Sequence, residues 1–265
     1  MIPNRIIQTG KTRDLPSIAR ASAANFKLLH PNWEHVYFDD SQVAEFMAAE
    51  SAENQAVFAT FTRKIQRFDF FRYLAVYRLG GFYFDLDVFL WSSLDPLLDS
   101  NCVVPFEELT LNRYLRTECG TDWEVGNYAF GAGAGHPFLK VVIKNCVLAQ
   151  RDPEWLKPMM RGIPHMFRTD HYVLNSTGPG LISRTLAENP ELAQDVTVLF
   201  PENVCNPETW HHFGHYGVHL MDGSWRDRSG FVRRRLTNLW EARTRRRFMP
   251  ESKARGPTRS VGKGR

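Results

Sequence analysis

The chain has 265 residues, is 43% hydrophobic and 13% aromatic, and carries a formal net charge of +4. That length and apolar share suit one large core with at most a small appendage. Cys102, Cys119, Cys146 and Cys205 stand too far apart for a zinc knuckle, a redox motif or a disulfide scaffold, so a reducing compartment is the simpler reading.

The start, Met1-Ile-Pro-Asn-Arg, lacks the basic-then-apolar pattern of a secretory signal. No stretch approaches the roughly 20 apolar residues that span a bilayer. The expectation is a cytoplasmic protein, at most peripheral at the inner face of the membrane. The modest net charge hides a split. Residues 226–265 hold 14 Lys+Arg against 3 Asp+Glu, leaving 19 basic and 26 acidic residues before them. An acidic body with a basic tail points to an anionic partner.

In chain order, Arg5 to Gln8 reads as a strand and Leu15 to Leu29 as a helix with Ile18, Phe26 and Leu29 inward. Glu34 to Phe38 reads as a second strand. Asp39-Asp40-Ser41 offers N-cap chemistry to a helix over 42–50. Phe61, Ile65, Phe68, Arg72, Ala75 and Leu79 recur at helical spacing, a stripe that is apolar except for Arg72. Gly80-Gly81 stops that helix. Phe82-Tyr83-Phe84 is then a short strand running into Asp85-Leu86-Asp87.

Further strands are expected over 102–106, 127–130, 196–200 and 218–221, with helices over 138–150 and 181–189 and a polar loop over 109–123. Alternating strands and helices imply an α/β sheet with ligands at the strand carboxyl ends.

Strand alternation would put Asp85 and Asp87 on one side. Two carboxylates in one pocket repel each other and are costly to desolvate, which a divalent cation relieves. Alone, the pair better suits loop aspartates hydrogen-bonded to backbone amides. Its place after a glycine-stopped helix and a buried aromatic strand favours a metal–diphosphate clamp. Asp69 and Arg72, three apart on the helix, share a face. Their chemistry fits an internal ion pair and a sugar- or ribose-lining pair equally well.

The run from Arg67 through Asp69, Arg72, Tyr73, Tyr77, Gly80, Gly81 and Tyr83 to Asp87 resembles the signature of the DXD sugar-binding glycosyltransferases, commonly called family 32. That family includes the yeast initiating α-1,6-mannosyltransferases, and its pattern is similar to the catalytic core of the large clostridial glucosylating toxins. Ile2 to Gln8, Pro31-Asn32-Trp33, Asn127 to Pro137, Thr177-Gly178-Pro179 and His219 to Trp225 resemble other blocks in order.

The resemblance implies a GT-A (Rossmann-like) fold, a mixed sheet flanked by helices, over 1–225; the charge pattern separately suggests a basic helix and flexible tail over 226–265. It implies a retaining transfer of a hexose from a UDP- or GDP-sugar to a glycan or lipid-linked acceptor in polysaccharide or glycolipid synthesis, with Mn²⁺ or Mg²⁺. Carried over, Asp85, Asp87 and His219 meet the metal. Asp69 and Arg72 bind the donor sugar, and Asn127 lies near it. Gln8, Thr9 and Tyr83 line the donor site, and Ser224-Trp225 cover the diphosphate. Relatives often have His before the glutamine of the opening strand. Here Ile7 precedes Gln8, so no role for that histidine carries over. Asp222 is an additional metal-ligand candidate.

Three alternatives stay open: a metal-dependent phosphohydrolase, although Phe89 stands where that signature has Thr or Val, a non-catalytic sugar-binding protein, and a basic interaction protein that acts through its tail. The arginine-rich tail interleaves Phe231, Val232, Leu236, Leu239 and Trp240, a pattern that suits an anionic membrane surface. Nucleic acid is not expected as a partner.

Overall fold

The computed structural model describes residues 1–221. The expectations for Asp222, Ser224, Trp225 and the basic segment 226–265 lie outside the described residues.

The elements run β1 (Arg5–Thr9), α1 (Ser17–Leu29), β2 (Glu34–Phe38), α2 (Asp40–Ala48), α3 (Ala52–Thr60), α4 (Lys64–Leu79), β3 (Gly81–Phe84), β4 (Val88–Leu90) and β5 (Cys102–Leu109). Then come α5 (Arg113–Thr117), β6 (Trp123–Val125), β7 (Ala129–Ala132), α6 (Pro137–Arg151), α7 (Pro153–Leu156) and α8 (Arg168–Ser176). Last are α9 (Pro179–Glu188), α10 (Pro190–Ala193), β8 (Val196–Leu199), β9 (His212–Phe213) and β10 (Gly217–His219).

The main sheet has the order β2-β1-β3-β7-β5-β6, with β8 also on β5. β1 runs parallel to β2 and β3, while β7 is antiparallel to β3 and β5. This is the expected mixed sheet flanked by helices. Side chains alternate across it. Tyr83 joins a core with Ile7, Phe130 and the apolar faces of α4, α6 and α9, while Phe82 and Phe84 join a second core with Phe26 of α1 and Trp33.

A second, antiparallel sheet, β4-β10-β9, is built on the strand that leaves the DXD turn. Helix α1 clasps its edge. Asn25 Nδ2 donates to the Leu90 carbonyl and Asn25 Oδ1 accepts from the Leu90 amide, both at 2.8 Å, while Ser22 Oγ donates to the Val88 carbonyl at 2.8 Å. Polar residues on the inward face of α1 thus replace a missing strand partner, which keeps the edge satisfied. Ile18, expected inward, is 47% exposed, and Ala19, Ser22 and Phe26 take the buried face.

Two further expectations change. The helix expected to run from Phe61 is broken there: Phe61 caps α3 in an extended conformation and α4 starts at Lys64. Nor is α4 striped at its centre, because every residue from Asp69 to Val76 is buried. The polar stretch expected as a loop over 109–123 contains α5, capped by Asn112, whose Oδ1 accepts from the Tyr114 and Leu115 amides.

Gly80 ends α4 at φ 66° and Gly81 opens β3 at φ 111°. A Cβ on Gly81 would lie 2.7 Å from the Arg5 carbonyl oxygen. Only glycine permits both the left-handed turn and the close approach to β1 that starts the strand.

Candidate active site

Asp85 to Asp87 form a turn rather than a continued strand. The Val88 amide donates to the Asp85 carbonyl at 3.3 Å, closing a four-residue turn, and the Asp85 amide donates to the Tyr128 carbonyl at 2.7 Å. The turn, not strand alternation, therefore brings the two carboxylates together. It sits between β3 and β4, where the chain leaves one sheet for the other.

The small sheet brings in His219. In β10 it pairs with Val88, and the Leu220 amide donates to the Asp87 carbonyl at 2.9 Å. His219 Nε2 lies 3.3 Å from Asp87 Oδ1, and its ring stacks on Tyr128 with centroids 4.3 Å apart. Burial opposes protonation of His219, but the hydrogen bond and charge of Asp87 outweigh it and raise its pKa. One ligand atom from each of Asp85, Asp87 and His219 falls within a 4.8 Å cluster. Two carboxylates and an imidazole make a donor set that can hold a divalent metal ion.

Behind this cluster lies a buried polar network. Arg72, 4% exposed, places Nη2 at 3.4 Å from Asp69 Oδ1 and 3.2 Å from Asp85 Oδ1. Its Nη1 donates to the Asn127 carbonyl at 2.8 Å, and its guanidinium lies 4.6 Å from the Tyr83 ring centroid. The helical spacing thus yields an ion pair that also grips the first aspartate of the DXD turn. Desolvation works against the charge on Arg72, but Asp85, Tyr83 and Asp69 more than offset it and raise its pKa.

Asp69 accepts from Thr177 Oγ1 at 2.9 Å and from Asn127 Nδ2 at 3.1 Å. Desolvation pushes its carboxyl up to about 6 even with Arg72 beside it. Asp69 is thus enclosed, with both oxygens hydrogen-bonded within the protein. Asn127 Nδ2 also donates to the Tyr73 hydroxyl at 3.0 Å, which donates to the Thr177 carbonyl at 2.8 Å.

Tyr83 Oη donates to Asp85 Oδ1 at 2.7 Å and pairs with Thr9 Oγ1 at 3.1 Å. Gln8 is 4% exposed, and its Nε2 has no hydrogen-bond partner among the described residues. A buried amide left unpaired is costly unless a ligand or water completes it. Thus Asp69, Arg72, Tyr83, Asp85, Asp87, Asn127 and His219 come together, Thr9 joins them through Tyr83, and Gln8 precedes Thr9 near the carboxyl end of β1. Tyr73 and Tyr128 are additions to the sequence-derived set. Each neighbours a chosen residue, Arg72 and Asn127, but its contact crosses the fold.

The architecture is the GT-A glycosyltransferase fold, and the resemblance carried by the central motif holds. Residues 20–104 match the model of the glycosyltransferase sugar-binding region containing DXD motif. The chain is 33% identical over 144 residues to inositol phosphoceramide mannosyltransferase 3 of Schizosaccharomyces pombe, covering 54% of this chain and 37% of that protein. It is 31% identical over 183 residues to the mannosyl phosphorylinositol ceramide synthase CSH1 of Saccharomyces cerevisiae, covering 69% and 42%. With the initiation-specific alpha-1,6-mannosyltransferase of S. pombe it shares 23% identity over 274 residues, covering 85% and 64%. The chain spans about two fifths of the length of the first two of these relatives. Among solved structures, the PaToxG glycosyltransferase superposes with a TM-score of 0.51 at 12% identity, covering 73% of this chain and 75% of that one.

Proposed function

We propose that the chain is a metal-dependent, retaining glycosyltransferase that moves a hexose from a UDP- or GDP-sugar to a lipid-linked or glycan acceptor. The names of its relatives narrow the reading to mannose as the sugar and an inositol phosphate on a ceramide as the acceptor. The observation that carries the proposal is the convergence of Asp85, Asp87 and His219 beside the buried Asp69–Arg72 pair. A glycosyltransferase fold and family match leave the phosphohydrolase alternative without support.

In this reading Asp85, Asp87 and His219 hold Mn²⁺ or Mg²⁺. A bound divalent ion supplies Lewis acidity and neutralises charge developing on the leaving diphosphate. Arg72 and Tyr83 fix Asp85 from behind, so its carboxylate needs little reorganisation when donor binds. The Gln8 amide serves the nucleotide, with Thr9 beside it. Asn127, held by Asp69 and Tyr73, faces the transferred sugar. The acceptor hydroxyl attacks the face from which the diphosphate departs and passes its proton to the leaving phosphate oxygen, so no strong side-chain base is required.

Thermal unfolding of the full chain with Mn²⁺, GDP and UDP, singly and together, tests the proposal. The expected result is a rise in melting temperature with metal plus nucleotide that exceeds either alone. A rise with free mannose alone supports a sugar-binding protein, and no response to metal plus nucleotide overturns the transferase reading.

The basic segment 226–265 is proposed to hold the protein on anionic lipid at the cytoplasmic face, near a lipid-linked acceptor. Flotation on phosphatidylserine vesicles should fall when the segment is removed, and equal flotation overturns this placement.

A further inference from the structure

Large hydrophobic side chains are exposed at the carboxyl end of the parallel strands, on both sides of the DXD turn. Strand pairing places the first group. Phe82 pairs with Gly131 and Gly131 with Val103, so Phe106 comes level with Asp85 three residues further along both strands. Leu199 pairs with Pro105, which puts Phe200 beside Phe106 at the same level. Phe200 is 42% exposed, and its ring packs 5.5 Å from Phe106 and 5.3 Å from the half-buried Trp123. From β3 across β7 and β5 to β8 is three strand spacings, roughly 14 Å.

The second group closes the other side. The Leu220 amide is tied to the Asp87 carbonyl at 2.9 Å, while the Leu220 side chain is 50% exposed and Met221 is exposed beside it. Ile18, also exposed, lies one turn ahead of Ser22, the residue that holds Val88, so it flanks the same turn from α1. Isolated exposed hydrophobics need no explanation, but apolar side chains gathered around a polar site mark a contact surface.

We propose that this rim is a membrane contact: Phe200 with Trp123 on one side, and Leu220, Met221 and Ile18 on the other, enter the interfacial layer of a bilayer, and the DXD turn between them faces the lipid headgroups. This rests on the lipid-linked acceptor of the reading above. Two observations select a lipid surface as the occupant. The residues before 226 number 26 acidic against 19 basic, so an anionic surface does not attract this body by charge, and apolar insertion has to hold it. The described chain ends on the rim at Met221, and the segment with 14 Lys+Arg against 3 Asp+Glu starts five residues later. Apolar insertion and a basic anchor are thus tethered to one place, and stable peripheral binding takes two such signals. A headgroup at the bilayer surface can then meet the metal cluster without its acyl chains entering water.

The test is flotation of the full chain on mixed phosphatidylcholine–phosphatidylserine vesicles, at low salt and in about 1 M NaCl, where charge attraction is screened within about 3 Å. The parent should keep a salt-resistant bound fraction. Phe200→Glu combined with Leu220→Glu should lower the salt-resistant partition coefficient about tenfold or more, and the milder Phe200→Ser and Leu220→Ser should each lower it severalfold. Leu28→Glu, a charge on an exposed residue at the far end of α1, should leave it unchanged. No salt-resistant binding by the parent, parent-like binding by the rim variants, or an equal loss with Leu28→Glu overturns the proposal. So does a fall in sedimentation mass in the rim variants, which would make the rim a contact between two copies of the chain. The Kd for GDP or UDP with Mn²⁺ should move less than threefold in every variant, showing that each still folds. If the parent binds neither nucleotide with Mn²⁺, the transferase reading itself fails, whereas flotation still decides the rim.

Discussion

Arg72→Met removes the charge at the centre of the site while retaining most of the side-chain length. The guanidinium it deletes is 4% exposed and lies between Asp69 and Asp85 while donating to the Asn127 carbonyl. Breaking a buried ion pair on one side costs about 3–5 kcal/mol, because the remaining charge stays buried without its partner. Protonation of Asp69 limits that loss, since its carboxyl already titrates near 6. We expect a deficit of about 3 kcal/mol at pH 8.

The deficit should shrink in acid. The folded-state pKa of Asp69 lies above its unfolded value of about 3.9, so between these values the folded state binds more protons and stability falls as pH rises. In the parent this fall is complete just above pH 6. Without Arg72 the Asp69 pKa rises further and the fall extends into alkaline pH, so the variant loses more at pH 8 than at pH 5. Urea unfolding at the two pH values measures both quantities, and Asp69→Asn added to Arg72→Met should restore part of the loss. A variant within about 0.5 kcal/mol of the parent at pH 8, or a deficit equal at both pH values, refutes the reasoning.

Gly81→Ala forces a Cβ to 2.7 Å from the Arg5 carbonyl at φ 111° and should destabilise by about 2 kcal/mol or more, read from the urea midpoint. Parent-like stability would mean that β1 and β3 do not approach this closely. Asp87→Ala and His219→Ala should each weaken GDP or UDP binding tenfold or more with Mn²⁺ by calorimetry, with little change in EDTA; equal losses in both buffers would argue against a metal role. Tyr83→Phe deletes the donor to Asp85 at 2.7 Å and should cost about 1–2 kcal/mol on denaturation and weaken Mn²⁺-dependent nucleotide binding. Phe84→Ala removes a fully buried ring packed 4.7 Å from Phe26 and 5.4 Å from Phe213, and should cost about 3–5 kcal/mol in the same assay.

The parts of the fold legible in the sequence are those whose cause is local. Gly80-Gly81 marks the end of α4 because left-handed backbone is needed there, and Asp39 marks the start of α2 through a capping box with Gln42. Helix α3 escaped because Ala52–Thr60 buries only Val57 and so leaves little periodic trace. The Asp69–Arg72 pair was legible from helical spacing, but its grip on Asp85 was not, because that contact depends on how α4 crosses the sheet. Tyr128 and Thr177 were illegible as site residues for the same reason: Thr177 reaches Asp69 across 108 residues of chain.

The change of sheet at the DXD turn explains why the site assembles there. A strand continuing past Phe84 would have pointed Asp85 and Asp87 the same way but left nothing to bring His219 near. The turn redirects the chain into β4, whose two edges are taken by α1 on one side and β10 on the other. Pairing with Val88 sets the register of His219, and a one-residue slip would flip its ring away from Asp87. The polar residues Ser22 and Asn25 on the inward side of α1, which look like flaws beside buried Ala19 and Phe26, therefore have a positioning role. By holding Leu90 through Asn25, α1 fixes β4, and β4 fixes the distance between the histidine and the carboxylates.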